Sequence, residues 1–175
     1  MRRWPLQRND GGMTEKPTLH MFCGKIASGK STLARDLAVA ESAILIAEDD
    51  WLKALFADQM ATIPDYVRCS AKLRGMMGRH VADLLNGGVS VFLDFPANTV
   101  DMRRWMRGIL DETGAAHVLH VLELSDAVLL ARLKERNTAG EHPFAVTEEQ
   151  FHRISRHYAP PSPDEGFTIE RHDSR

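Results

Sequence analysis

The chain has 175 residues, 22 basic and 24 acidic side chains, a formal net charge of −2 and two cysteines. A chain of this length predicts one domain with a core large enough to need no disulfide or structural metal. The charge balance argues against a large contact with duplex DNA or an anionic membrane, and no apolar run approaches the roughly 18 residues of a membrane span.

The N-terminal segment, residues 1–16, is basic at first, then polar and glycine-containing. It lacks the apolar core of a signal peptide, and two cysteines in the chain fit a reducing compartment. We therefore predict a cytoplasmic protein with a disordered N-terminal arm over residues 1–16, for which Met13 offers an alternative start. A single domain is expected over residues 17–175.

Apolar runs and helical patterns alternate through the first half of the domain. Strands are predicted at residues 18–23 and 44–47. A helix is predicted to follow the first strand, a second to start near Trp51, and a long third to cover residues 66–86, with Pro64 as a break before it. The pair Gly87-Gly88 is a typical stop signal for the long helix.

The same alternation continues in the second half. Strands are predicted at residues 89–94, 117–124 and 167–170. Helices are predicted at residues 100–113, from the cap Ser125 to Arg136, and from a capping box at residues 147–150. Strands that alternate with helices indicate an α/β fold with a mostly parallel sheet.

Residues 24–31, GKIASGKS, match the phosphate-binding pattern G-x-x-x-x-G-K-[ST] between a predicted strand and a predicted helix. The glycines allow close approach of the backbone to phosphate, the lysine supplies a charge for the β- and γ-phosphates, and the serine hydroxyl suits Mg²⁺. The predicted nucleotide-binding residues are Gly24, Lys25, Ile26, Ala27, Ser28, Gly29, Lys30, Ser31 and Thr32.

Ligands of open α/β sheets bind at the carboxyl ends of the strands, where this chain places Asp49 and Asp94. Asp49 is the candidate to orient or deprotonate an acceptor hydroxyl, or else it caps a helix. Asp94 is a candidate to hold Mg²⁺ with Ser31, to bind substrate or to end a strand. Which of the two acts as general base stays open. Trp51 and Asn98 are further candidates for substrate contact.

Arg132 and Arg136 lie four residues apart on one predicted helix face, directly before a polar segment. Arginine suits phosphate because its planar group binds two oxygens at once. A lid at residues 137–146 could close these two side chains over bound phosphates, or the two could lie on a solvated face.

The eight histidines show no strong zinc-binding spacing, so we expect surface positions for them and no zinc site. His117 and His120, three apart on a predicted strand, should face opposite sides of the sheet. Arg103 and Arg104 are expected on a solvated helix face.

The phosphate-binding loop, the Asp49 and Asp94 strand ends and the Arg132–Arg136 pair together resemble the small P-loop kinases of the adenylate-kinase-like group. Within it, residues 18–167 are most similar to AAA_33-type ATP-binding proteins, which are akin to polynucleotide 5′-kinases, zeta toxins and chloramphenicol phosphotransferase. The resemblance implies a three-layer fold with a five-stranded parallel sheet, ATP with Mg²⁺, and γ-phosphate transfer to a hydroxyl. It also implies an adenine-facing loop at residues 161–166.

One position departs from the polynucleotide kinases of that group. Their acid after the second strand is followed three residues later by an arginine for the substrate phosphate, whereas Asp49 here is followed by Leu52. This difference argues against a nucleic-acid 5′ end as the substrate.

The sequence thus predicts an ATP-dependent phosphotransferase that acts on a hydroxyl of a small molecule, with Lys30, Asp49, Arg132 and Arg136 in the chemistry. A polynucleotide or nucleotide kinase is the first alternative. An ATP-binding regulatory switch with slow hydrolysis is an alternative of another class. The acceptor and the oligomeric state stay open.

Overall fold

A computed structural model describes residues 16–139 and 146–172 of the chain. Its centre is a five-stranded, fully parallel sheet in the spatial order β2-β3-β1-β4-β5. The strands are β1 (Thr18–Cys23), β2 (Ile44–Ala47), β3 (Val91–Pro96), β4 (Ala116–Leu122) and β5 (Ile169–His172). The predicted α/β class is therefore confirmed, and the parallel order brings the carboxyl ends of all five strands to one edge.

Six α-helices connect these strands in the described parts of the chain. They are α1 (Lys30–Ala40), α2 (Glu48–Phe56), α3 (Ile63–Asn86), α4 (Val100–Thr113), α5 (Asp126–Ala139) and α6 (Glu148–Ser155). None of them has the length and apolar character needed to cross a bilayer.

Alternation along β1 divides the core between the two faces of the sheet. Leu19, Met21 and Cys23 are fully buried in the larger cluster, which α3 and α4 cover. His20 and Phe22 point to the opposite face, where Ala34 and Ala38 of α1 pack against Phe22 and its neighbour on β3. Because both faces of β1 are buried, its phosphate-binding turn rests on a rigid support.

Several predicted boundaries were wrong, among them the following. The α2 helix begins at Glu48 rather than near Trp51, so the acidic run forms its first turn. Pro64 does not interrupt a helix but lies in the first turn of α3, behind the Thr62–Asp65 capping box. The last strand extends to His172, two residues beyond its predicted end. The predicted arm, apart from Lys16, and residues 140–145 of the predicted lid lie outside the described residues.

Arg103 contradicts its predicted solvated position, whereas Arg104 agrees with it. The Arg103 side chain is fully buried and binds the Glu165 carboxylate at 2.6 Å. Its Nη1 donates to the carbonyl oxygens of Ala97 (2.9 Å) and Ala159 (2.8 Å). Bonding from Arg103 also holds the pKa of Glu165 below its usual value. This guanidinium ties the segment after α6 to the turn after β3.

We expect Arg103→Ala to lower the free energy of unfolding by roughly 3–5 kcal/mol, since it leaves buried carbonyls and a carboxylate without their partner. Urea unfolding at neutral pH measures the change. Arg104→Ala is the matched control on the next residue. Its pair with Asp101 is 72% and 88% exposed, so the change should stay within about 0.5 kcal/mol. Equal losses in the two variants would contradict the anchoring role.

Candidate active site

The phosphate-binding loop connects β1 to α1 and has the backbone shape that its sequence pattern requires. Gly29 adopts φ +96°, and a Cβ on Gly24 would lie 2.7 Å from Ser28 Oγ and 2.8 Å from the Leu122 carbonyl oxygen. Ala27 also takes a left-handed conformation, with φ 62°. The N-cap of α1 is Gly29, which has no side chain to accept a hydrogen bond from the first turn. The first amides of the helix are therefore available to an anion.

The Lys30 ammonium folds back onto this loop. Its Nζ donates to the carbonyl oxygens of Gly24 (2.8 Å) and Lys25 (3.0 Å). Burial lowers the pKa of Lys30 to about 8, and the nearby Asp94 charge opposes that fall. A cation desolvated inside a loop of amide groups gains strongly from an incoming phosphate.

Asp94 and Asp49 lie at the ends of neighbouring strands, as predicted. Asp94 pairs with Ala47 across β3 and β2, one residue before the acidic turn of α2 begins. Burial raises the pKa of Asp94, while a hydrogen bond with the Ser31 side chain and the charge of Lys30 oppose the rise. The Asp49 charge affects the pKa of both Lys30 and Asp94. Loop and carboxylates therefore share one electrostatic site.

Both predicted arginines of α5 lie beside the loop. Arg132 Nη1 lies 4.0 Å from the position that a Cβ on Gly29 would take. Arg136 is half-buried, and its Nε and Nη2 atoms are buried without a hydrogen-bond partner among residues 16–139 and 146–172. Burial lowers the pKa of Arg136, and the Asp49 charge opposes this. Burial of a guanidinium with two unpaired donors costs free energy, unless a bound anion accepts hydrogen bonds from them.

Glu48 is a buried residue that the sequence interpretation left without a role. Ser70 and Tyr66 donate hydrogen bonds to its two carboxylate oxygens, and Arg74 Nη1 lies 4.0 Å from Oε1. Burial raises the pKa of Glu48, and Ser70 and Arg74 oppose the rise. Glu48 and the buried Leu52 are four residues apart, so a helix that begins at Glu48 predicts their common buried face.

A cavity of about 470 Å³ opens between α3 and α4, next to Glu48. Tyr66, Ser70 and Arg74 line one wall, so the same side chains that bind Glu48 face the cavity. The other wall carries Met102 and Trp105 and begins at Thr99. The cavity combines apolar surface with a few polar and charged groups, among them Arg74 and Asp101, as ligand sites for small molecules commonly do.

Two predicted site residues have other contacts in the structure, and a third is partly exposed. Asn98 Oδ1 accepts a hydrogen bond from the Gly24 amide at 2.8 Å, so its oxygen supports the loop. The Lys25 ammonium is paired with Asp126 at 2.6 Å, which leaves its backbone as the part that belongs to the loop. Trp51 is 41% exposed on α2, and its contact with a substrate stays a prediction.

The parallel five-stranded sheet and the loop between β1 and α1 define the P-loop kinase-like fold, a class that binds nucleotides. Residues 19–161 match the AAA_33 family, described as an AAA domain. Because the match spans most of the chain, the protein belongs to the AAA_33 family. No match is found among curated proteins.

Solved structures agree with this fold. A kinase candidate from Chloroflexus aurantiacus is 24% identical with a TM-score of 0.72, over 93% of this chain and 87% of its own. The APS kinase CysC of Mycobacterium tuberculosis, solved with AMPPNP and APS, is 19% identical with a TM-score of 0.59, over 91% and 89%. A sugar kinase from Janibacter is 13% identical with a TM-score of 0.60, over 90% and 85%.

Proposed function

We propose that the protein is an ATP-dependent phosphotransferase that moves the γ-phosphate to a hydroxyl of a small molecule. The observation that carries the proposal is the cluster of Lys30, Asp49, Asp94 and Arg136, which share one electrostatic site at the carboxyl edge of the sheet. Two Arg136 donors without a partner in the described part of the chain fit a transferred phosphoryl group, whose charge is spread over three oxygens during transfer. Similarity in fold to kinases of small molecules supports the same assignment.

The residues divide the work in a simple way. Loop amides and Lys30 bind the phosphates, while Arg132 and Arg136 stabilise charge on the transferred group. Asp49 orients the acceptor hydroxyl and takes its proton as the acceptor oxygen bonds to the γ-phosphorus and the bond to ADP breaks. Ser31 and Asp94 fit Mg²⁺, because hydroxyl and carboxylate oxygens are its usual ligands and the two already lie within hydrogen-bond reach. A bound Mg²⁺ would neutralise phosphate charge.

We assign the acceptor to the cavity between α3 and α4. Glu48, which binds Tyr66 and Ser70 of one wall, precedes Asp49 in the chain. The other wall begins at Thr99, which follows the Asn98 that supports Gly24. One wall is thus linked to Asp49 and the other to the phosphate-binding loop, each through a neighbouring residue. A volume of about 470 Å³ fits a metabolite-sized molecule.

The test is ADP release from Mg²⁺-ATP across a panel of hydroxyl acceptors: nucleosides, nucleotides, sugars, aminoglycosides, chloramphenicol-like antibiotics and 5′-hydroxyl oligonucleotides. Stimulation by one small-molecule class establishes the phosphotransferase and names its substrate. Stimulation by the nucleotides or oligonucleotides alone would replace the proposal with a nucleotide or polynucleotide kinase. Tight ATP binding with no stimulation across the panel would favour the regulatory switch.

Filling the cavity is expected to impair use of the acceptor alone. Ala71→Trp places a large ring in the cavity wall and should lower kcat/KM for the stimulating acceptor by roughly tenfold or more, with ATP affinity unchanged. Met76→Trp is the control, because this residue of α3 is 76% exposed and lies outside the cavity wall. Steady-state kinetics with each substrate varied in turn measures both. An unchanged KM for the acceptor in Ala71→Trp would place the acceptor elsewhere.

A further inference from the structure

Three histidines form a continuous row across the face of the sheet that packs against α1. His20 of β1, His120 of β4 and His172 of β5 lie on three adjacent strands. His20 Nδ1 lies 3.1 Å from His120 Nε2, and His120 Nδ1 lies 2.9 Å from His172 Nε2. His20 and His120 are only 7% and 2% exposed, so their predicted surface positions were wrong.

The outer end of this row has a carboxylate beside two ring nitrogens. The Glu170 carboxylate oxygens lie 3.7 Å from His120 Nδ1 and 3.6 Å from His172 Nε2, which is beyond hydrogen-bond distance. Glu170 and His172 are two residues apart on β5 and share a face, and Glu170 pairs in register with His120. The Glu170 side chain is 58% exposed, so solvent reaches this end.

We propose that His120, His172 and Glu170 form a binding site for a divalent transition-metal ion, Zn²⁺ being the best fit. The two imidazole nitrogens lie 2.9 Å apart, and the two Glu170 oxygens lie one 3.7 Å from His120 Nδ1 and the other 3.6 Å from His172 Nε2. Tetrahedral ligands about 2.0–2.1 Å from Zn²⁺ lie about 3.3 Å from one another, so small side-chain shifts suffice. Two imidazoles and one carboxylate with an open fourth position are a donor set that zinc accepts.

The rest of the row supplies the outer partners that metal-bound histidines require. Metal on His120 Nδ1 leaves the proton on Nε2, which then donates to His20 Nδ1. That arrangement leaves a proton on His20 Nε2, which is buried, has no hydrogen-bond partner among the described residues and lies 3.6 Å from the Glu41 carboxylate. A metal ion thus selects the tautomers that direct the His20 Nε2 proton towards the Glu41 carboxylate.

Packing also fixes the position of the row of histidines. The stacking of His20 on Phe92, with ring centroids 3.9 Å apart, holds the row in place. Since β5 is an edge strand, bound metal would strengthen its attachment to β4.

The test is Zn²⁺ binding to the full chain, freed of metal by EDTA and dialysed, with excess Mg²⁺ to occupy carboxylate sites near the loop. Calorimetry is expected to show one Zn²⁺ per chain, and a hundredfold excess over Kd should raise Tm by roughly 5 °C or more. Co²⁺ should give the visible absorption of a tetrahedral site. We take a Kd of roughly 100 µM as the weakest affinity that would support a specific site. No binding at that concentration of Zn²⁺ would overturn the proposal.

Variants distinguish this site from non-specific binding of Zn²⁺ to the surface. His172→Ala and Glu170→Gln should each weaken Zn²⁺ binding by roughly tenfold or more. His152→Ala is the control, because His152 of α6 lies 3.9 Å from Glu148, a surface pair with two donors rather than three. Glu170 is exposed, so Glu170→Gln keeps the test valid if His172→Ala fails to fold. Unchanged affinity in Glu170→Gln, or an equal loss in His152→Ala, would refute the site. The outcome does not depend on the proposed phosphotransferase activity.

Discussion

A Lys30→Ala variant is expected to lose roughly a thousandfold of its ATP-dependent activity, the upper part of the range for one lost transition-state donor. The physical reason is that the ammonium lies inside the loop, bound to the carbonyl oxygens of Gly24 and Lys25, where phosphate oxygens would replace those carbonyls. ADP release under saturating acceptor and nucleotide-binding affinity are the two measurements. Wild-type turnover in this variant would refute the role of the loop.

The pH dependence of stability distinguishes a loss of function in this variant from a loss of folding. Folding lowers the pKa of Lys30 from 10.5 to about 8, so the unfolded chain binds the extra proton and wild-type stability rises between pH 8 and 10.5. This rise should be absent from Lys30→Ala, which should otherwise fold normally. The same substitution at Lys25 should cost less activity, because that ammonium is paired with Asp126.

Local sequence signals predicted the elements that position the loop. The strand before it and the helix Val100–Thr113 have the bounds that their apolar runs and stop signals indicated. Gly114, which ends that helix, adopts φ +62°, as a helix stop of this kind requires. Such features depend on neighbours along the chain, and one sequence is enough to show them.

Features that depend on distant partners escaped prediction. Arg103 looks like any surface arginine until Glu165 and the carbonyl groups of Ala97 and Ala159 surround it. Arg104, its neighbour, has the same local pattern and stays exposed. His20 and His172 are 152 positions apart in sequence and meet through His120 only because the strand order is β1-β4-β5. No local sequence pattern predicts that strand order.

The candidate site contains features that the sequence predicted and features that it did not. The strand ends predicted that Asp49 and Asp94 would meet the loop, because parallel strands align their carboxyl ends. The acidic run at residues 48–50 did not reveal which carboxylate is buried. With α2 beginning at Glu48, this residue turns inward and Asp49 is left exposed at the cleft, a difference of one helical position of about 100°.

An Asp49→Asn variant is expected to keep nearly normal ATP affinity while its turnover falls by roughly a hundredfold or more. The amide has the shape of the carboxylate but cannot accept the acceptor proton. Single-turnover kinetics with the best acceptor measures the step, and nucleotide titration measures binding. Asp50→Asn is the control, since Asp50 is the next residue of α2 and is exposed as well.

Comparison with Asp94→Asn decides which carboxylate acts as the base. Asp94 lies beside Ser31 and Lys30, so its loss should raise the Mg²⁺ concentration needed for half-maximal activity. Loss of Asp49 should lower kcat at every Mg²⁺ concentration, because the proton acceptor is gone. If Asp49→Asn instead weakens nucleotide binding as much as turnover, Asp49 serves the metal or the fold. The base would then be Asp94, whose pKa is raised by burial towards the range that suits proton transfer.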